Sequence, residues 1–412
     1  MRFPPVHEQL DAVRQAALEI LSEEELARKL ERAQRSGTPL VVKQGFDPTR
    51  PDLHIGHAVS MRLLRAFQEM GHDVVFVVGD YTALIGDPSG RNELRPALSE
   101  EQVAQNAETY AEQVYKILDP ARTRVEFNSR WLKPLQLADL LRLTAQYTVA
   151  RMLEREDFAR RYAENRPISL VEFMYPLMQA YDSVALRADV ELGGSDQKFN
   201  LLVARTIQER YGQEPQVCVL LPLLRGTDGV QKMSKSYDNY VGLADAPEEQ
   251  YGRTMSIPDE LLPEWYELAA GLRGAELERA LDRLRTDPYA AKRTLAAHIV
   301  QQYHGAAAAE AAAAHFDLVF RQHGVPDDVP LLELAASDEA LGAADGEVPL
   351  TRLLVRAGLA PSTSQAARLI EQGAVLVDGA RVAARDARVA AHGEHLLQKG
   401  KRHFARVRFA LR

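Results

Sequence analysis

"PLVVKQGFDPTRPDLHIGHAVSMRLLRAFQEMGHDVVFVVGDYTALIGD", residues 39–87, carries the pattern on which the fold turns. Its opening, PLVVKQGFDPT, is a β-branched run broken by glycine and proline, which reads as a strand entering a loop. HAVSMRLLRAFQEMGH then repeats apolar residues at helical spacing and stops near Gly71. DVVFVVGDYTALIGD follows as an unbroken apolar strand run, the pattern of a strand covered by helices on both faces. Strand, helix, strand in this order predicts a βαβ unit of a parallel sheet, and hence an α/β fold. His54, Gly56 and His57 stand where such a sheet binds ligands, beyond a strand's carboxyl end and at a helix N-terminus suited to an anion. Two histidines three apart share a helix face, so H-x-x-H alone leaves a metal pair, a nucleotide site or a surface pair open. The zinc-protease form H-E-x-x-H is absent.

Outward from this unit, helical patterns dominate from Glu100 to about Gln179, interrupted by RVEFNSRW. VALRADVELGG and EPQVCVLLPLL resume as strands around the helical QKFNLLVARTIQERYG, so a helical insertion over about 100–180 splits the sheet into two halves. The sheet domain is expected over 1–242 and an α-helical domain over 243–322, where the alanine-rich HGAAAAEAAAAHFD reflects helix propensity alone. Residues 323–347 collect prolines, glycines and acids and read as a linker. Residues 348–412 predict two short amphipathic helices, the second capped by a serine- and threonine-rich turn, then a strand-turn-strand with Asp-Gly at the turn.

Composition narrows the class. At 412 residues the chain is long enough for two or three cores. Apolar residues make up 46% and charged ones 26%, ordinary for a globular protein, and no run is long enough to span a membrane. The start lacks the apolar core of a secretory signal, which makes the cytoplasm the expected address. A lone cysteine, Cys218, excludes an internal disulfide and reads as a small buried residue. The net charge of −8 is uneven: residues 348–412 hold twelve Lys and Arg against four Asp and Glu, a balance of +8, which leaves −16 on residues 1–347. A basic end on an acidic body fits a polyanion contacted at that end.

KMSKS, Lys232 to Ser236, lies in a polar, glycine-containing loop after a strand, where mobile ammonium groups suit a polyphosphate. With H-I-G-H and K-M-S-K-S together, the sequence resembles the class I aminoacyl-tRNA synthetases. That resemblance implies a Rossmann-type ATP site in which the histidines hold nucleotide rather than metal. YPLMQAYD places Tyr175, Gln179 and Asp182 on one helix face, LGGSDQKFN supplies Gly194, Asp196 and Gln197, and LIGDPSGR supplies Asp87. With GFDPTRPDLHIGH, these stretches look like the bacterial tyrosyl-tRNA synthetase pattern, over essentially the whole chain.

The resemblance implies that Asp87, Tyr175 and Gln179 grip the ammonium of L-tyrosine and that Asp182 accepts from its phenol. Asp196 would hold the ribose hydroxyls, with Gly194 and Gln197 beside the adenylate. Gly45, Asp47 and Gly56 would line the nucleotide pocket, the glycine of H-I-G-H leaving room for a flat base. Thr49, His54 and His57 would lie along the nucleotide, while Lys232, Lys235 and Ser236, helped by Arg91 and Arg95, close over the departing pyrophosphate. ATP enters as substrate, Mg²⁺ comes with its phosphates, and zinc is not expected. The C-terminal segment looks like an S4-type RNA-binding fold for tyrosine tRNA, and the family implies a homodimer joined through residues around 130–190. One departure stands out. Many members carry tyrosine and cysteine before GFDPT, where this chain has Lys43 and Gln44. The second phenol contact is therefore not carried over to position 43, and selectivity leans harder on Asp182. A tryptophanyl enzyme, a synthetase-derived RNA-binding protein and a zinc hydrolase using His54 and His57 are the competing readings.

Overall fold

Five parallel strands and one antiparallel edge strand form the sheet that organises residues 1–306, in the order β1-β6-β5-β2-β3-β4. The strands are β1 (Glu19–Leu21), β2 (Val41–Phe46), β3 (Asp73–Val78), β4 (Thr123–Phe127), β5 (Val190–Gly194) and β6 (Val217–Leu221). The computed structural model describes residues 3–50, 52–88, 99–320, 329, 331–335, 338–344, 346–400 and 403–409. Helix α1 (Ile55–Glu69) joins β2 to β3, and β4 extends the sheet beyond β3. After the insertion the chain returns on the other side of β2, where β5 pairs with it in parallel. Strand order therefore reverses at β2, and the crevice above β2 and β5 is the switch point at which such sheets bind ligands.

The β-branched runs of β3 and β6 are buried along Val74–Val78 and Val217–Leu221, as both-face coverage requires. One face, with Val42, Phe46, Val74 and Phe76, packs with α1 and with Trp265, Leu295 and Ile299 of the later helices in a single core. The other is covered by α2 (Met174–Leu186) and α3 (Lys198–Arg210), whose Met178, Val203 and Ile207 form a second core with Leu132, Leu143 and Met152 of the insertion. Cys218 is buried, its thiol donating to the Leu201 carbonyl at 3.4 Å.

Four sequence expectations need correction. The run DVVFVVGDYTALIGD is not one strand: β3 stops at Val78 and Thr82–Ile85 is helical. A Cβ on Gly79 would stand 2.1 Å from Asp47 Oδ1, so the chain turns there around that carboxylate. Val184–Leu186, read as strand, close α2, which ends at Arg187 with φ 50°. RVEFNSRW contributes β4, so the helical insertion begins as the sheet's outer edge. The N-terminal β1, antiparallel to β6, was not anticipated.

The second unit, residues 307–412, contains β7 (Leu331–Leu334), β8 (Glu347–Pro349), β9 (Val375–Val377), β10 (Ala380–Val382), β11 (Arg388–Ala390), β12 (Gly393–Lys399) and β13 (His403–Phe409). β7 lies inside the stretch read as a linker, yet it pairs in parallel with β13 and buries Leu334. Five of these strands form one sheet, β10-β9-β12-β13-β7, while β8 and β11 pair separately, and helices α4 (Leu350–Arg356) and α5 (Thr363–Glu371) share one core with them through Leu353, Leu354 and Ile370. Ser362 caps α5 by accepting from the Gln365 amide at 3.3 Å. Asp378 and Gly379, with φ of 50° and 81°, make the left-handed turn between β9 and β10 that the Asp-Gly pair predicts. Among the described residues no helix is long and apolar enough to cross a membrane.

Candidate active site

A cleft of about 320 Å³ opens at the carboxyl ends of β2, β5 and β6. It gathers Gly45, Asp47, Thr49, His54, Gly56 and His57 from β2 and the start of α1, and Asp87 from the turn after β3. Tyr175, Gln179 and Asp182 reach it from α2, Gly194, Asp196 and Gln197 from the end of β5, and Lys232, Lys235 and Ser236 from the loop after β6. Arg91 and Arg95 lie outside the described residues.

At the α1 end the imidazoles of His54 and His57 stack at 3.7 Å with 18° between planes. His57 Nδ1 accepts from the His54 amide at 3.2 Å, so in the neutral ring Nε2 carries the hydrogen and is the donor left for a ligand. Burial, then the nearby Lys235 and Lys232 charges, push the His57 imidazole down to about 3. Burial holds His54 well below its ordinary value too, and its Nδ1 is buried without a protein partner. Gly56 is also closely packed here: a Cβ would press on His54 Nδ1 at 3.0 Å and on Met233 Cβ at 3.4 Å. Met233, the buried centre of K-M-S-K-S, thus packs on the H-I-G-H turn. Backbone bonds from Ile55 to Val241 and from Leu243 to Leu53, at 3.0 and 2.8 Å, tie the H-I-G-H turn to the segment that follows K-M-S-K-S. Lys232 pairs with Asp196 at 2.5 Å. Lys235 donates to the Arg50 carbonyl at 3.2 Å and lies 5.8 Å over the Tyr110 ring, where burial pulls its ammonium down to about 8.

Towards α2 the groups are acceptors. Tyr175 donates its hydroxyl to Asp47 Oδ2 at 2.9 Å, and Thr82 donates to Asp47 Oδ1 at 2.7 Å. Gln197 Nε2 donates to Asp87 at 2.7 Å. Gln179 Nε2 donates to Glu191 Oε1 at 3.2 Å, and Gln179 Oε1 is buried without a protein partner. Gln44 does the same through Ser60 at 2.8 Å, leaving its own Oε1 unpartnered. Asp182 is buried; Trp131 Nε1 donates to it at 2.8 Å and Asn128 Nδ2 at 3.3 Å. Burial pushes its carboxyl up to about 7, against the pull of Lys43 and these two donors.

Comparison with known proteins gives the family. The family model for class I tRNA synthetases (W and Y) matches residues 35–321, and that for the S4 domain matches residues 348–389. The tyrosine--tRNA ligase of Geobacter sulfurreducens is 51% identical over 98% of this chain and 100% of its own length. That of Moorella thermoacetica is 53% identical over 98% of this chain and 96% of its own. The chain belongs to the class I tyrosyl-tRNA synthetases. A solved tyrosyl-tRNA synthetase from Archaeoglobus fulgidus, complexed with L-tyrosine, shares the fold of this synthetase at a TM-score of 0.60 and 22% identity, over 75% of this chain and 100% of that one.

Several residues in the cleft or just behind it escape sequence reading. Asn128 and Trp131 sit in the stretch read only as an interruption of helices, although a polar and an indole side chain just after a strand end is a signal that could have been weighed. Thr82 lay hidden in the supposed strand. Lys43 and Glu191 are 148 positions apart in the chain, yet they are register partners on neighbouring strands and form a buried ion pair at 2.7 Å.

Proposed function

We propose that this synthetase activates L-tyrosine with ATP and transfers the tyrosyl group to the terminal adenosine of tyrosine tRNA. The observation that carries the reading is one cleft holding a donor end, built of neutral imidazoles and two lysines, opposite a buried acid flanked by acceptors. The substrate carboxylate is ionised at neutral pH, so its attack on the α-phosphorus needs no general base. Alignment and charge are what need help. Tyr175, whose proton is committed to Asp47, and Gln179, whose amide nitrogen donates to Glu191, offer lone pairs to an ammonium, with Asp87 supplying the opposite charge. Asp182 accepts from the phenol. Thr49 and His57 Nε2–H lie along the nucleotide, and Gln44 Oε1 is an acceptor for a ribose hydroxyl, as is Asp196 once Lys232 turns to the phosphates. As the bond from the α-phosphorus to the bridging oxygen breaks, Lys232, Lys235 and Ser236 receive the charge of the leaving pyrophosphate, with Arg91 and Arg95 in the same role. Mg²⁺ enters with the phosphates as part of the nucleotide substrate. In the second step a tRNA ribose hydroxyl attacks the tyrosyl carbonyl and AMP leaves.

The basic module over 348–412 is the tRNA anchor in this reading, supported by the S4 match and by exposed Arg368, Arg381 and Arg385. The synthetase acts as a homodimer joined through the insertion. Leu137, Leu141, Val149 and Leu170, at 72, 62, 61 and 81% exposure, support that, because the insertion leaves several large apolar side chains open to a partner.

Pyrophosphate exchange is expected with tyrosine and not with tryptophan or phenylalanine; exchange driven by tryptophan would overturn the assignment. Removing residues 348–412 should abolish tRNA charging and spare exchange, and surviving charging would place the anchor elsewhere.

A further inference from the structure

Beneath the amino-acid end of the cleft, Lys43 and Glu191 form an ion pair whose side chains are 0 and 1% exposed. Glu191 is also the hub of α2's inner face. Gln179 donates to Oε1 at 3.2 Å, Ser183 donates to Oε2 at 3.2 Å, and Gln216 donates to Oε2 from the base of β6. Gln179 and Ser183 bracket Asp182 on α2, so one carboxylate fixes the helix on both sides of the phenol acceptor. Buried ion pairs contribute little net stability, since desolvation offsets their attraction. A pair at this position, bonded to the helix that carries Asp182, therefore points to a role other than stability.

We infer that the Lys43–Glu191 pair is a positioning unit for the amino-acid pocket. Glu191 turns the Gln179 amide so that its oxygen faces the ammonium, and Lys43 supplies the positive charge that favours the ionised, phenol-accepting form of Asp182 against its burial. This rests on the tyrosine reading of the cleft. The groups facing Asp182 are Lys43 from β2, Glu191 from β5, the Trp131 and Asn128 donors beyond β4, and Tyr175 on its own helix. Among these, Lys43 is the cation and Glu191 a second buried carboxylate. Without Lys43, two acids would share one dry pocket, a situation that favours protonation of one. With it, the lysine's field on Asp182 outweighs that of Glu191, as the order of their effects on its carboxyl indicates.

The test is the pH profile of kcat/KM for tyrosine in pyrophosphate exchange, which reports ionisations of the free enzyme. The wild-type acid limb is expected near 7, where the Asp182 carboxyl titrates. In Lys43→Met/Glu191→Gln, which leaves no buried charge unpaired, the limb should move up by about one pH unit, with the tyrosine KM at pH 7 raised roughly fivefold and that for ATP unchanged. Lys43→Met alone, with Glu191 left beside Asp182, should move the limb further in the same direction. Where that single variant does not fold, the double variant carries the test. An unmoved limb in the double variant, or equal rises in the KM for tyrosine and ATP, overturns the inference by reducing the pair to a structural role. A wild-type protein that shows no tyrosine-dependent exchange defeats the functional reading itself.

Discussion

At the lysine end of the cleft, Lys232 is 40% exposed on the loop after β6, and its pairing with Asp196 bridges that loop and the end of β5. At the phenol end, Asp182 and the Lys43–Glu191 pair are buried on α2 and two strands, with hydrogen bonds closing round them from four elements. The first arrangement suits charge that moves during the reaction, because ammonium groups on a loop follow the leaving phosphate oxygens. The second suits discrimination: a dry, preset acceptor rewards one hydroxyl and tolerates nothing unpaired. Rate and selectivity are therefore assigned to opposite ends, and perturbing each end should leave the other's signature intact.

The largest effect belongs to the loop. Lys235→Ala should slow adenylate formation about a hundredfold or more, as loss of a preset donor to developing charge does, while the Kd for tyrosine barely changes. Pre-steady-state quench-flow beside equilibrium tyrosine titration separates the two, and equal losses in both would erase the distinction drawn here.

A smaller effect concerns the imidazoles between the two ends. The His57 pKa is depressed in the folded state, so between about 3 and its ordinary 6.5 the unfolded chain binds a proton that the folded one refuses. Stability is thus lost as pH falls below about 6.5, by about 2 kcal/mol at pH 5 from His57. Asp182 acts with the opposite sign, since its carboxyl is raised and folding is favoured as it protonates, so the histidine contribution must be isolated by substitution. Urea unfolding of the wild type and His57→Asn at pH 7 and 5 should show the smaller acid loss in the variant; equal losses would mean that His57 is not held neutral.

The same contrast explains what the sequence could disclose. H-I-G-H and K-M-S-K-S are short, contiguous and chemically unusual, so the donor end of the cleft, where the two meet, was legible from them, as was the βαβ unit from its periodicity. The face of α2 was legible too, because Tyr175, Gln179 and Asp182 recur at helical spacing. What surrounds Asp182 was not, since Asn128, Trp131, Lys43 and Glu191 meet it only through strand order. Lys43 registered only as a departure from the family pattern, and nothing local says that its partner is a carboxylate on the next strand. Thr82 and β7 were lost for a different reason: in both places an apolar or acidic run followed the wrong periodicity, and a turn around Asp47 or a parallel pairing with β13 decided the outcome.

The claim on which the rest depends is that a buried, ionisable Asp182 reads the substrate phenol, and the most direct test is the Kd for tyrosine as a function of pH in the absence of ATP. With the carboxyl titrating near 7, binding should tighten about tenfold between pH 6 and 8 in the wild type and become weak and flat in Asp182→Asn. A wild-type Kd that does not change over this range, or an Asp182→Asn variant that keeps wild-type affinity, would contradict the account.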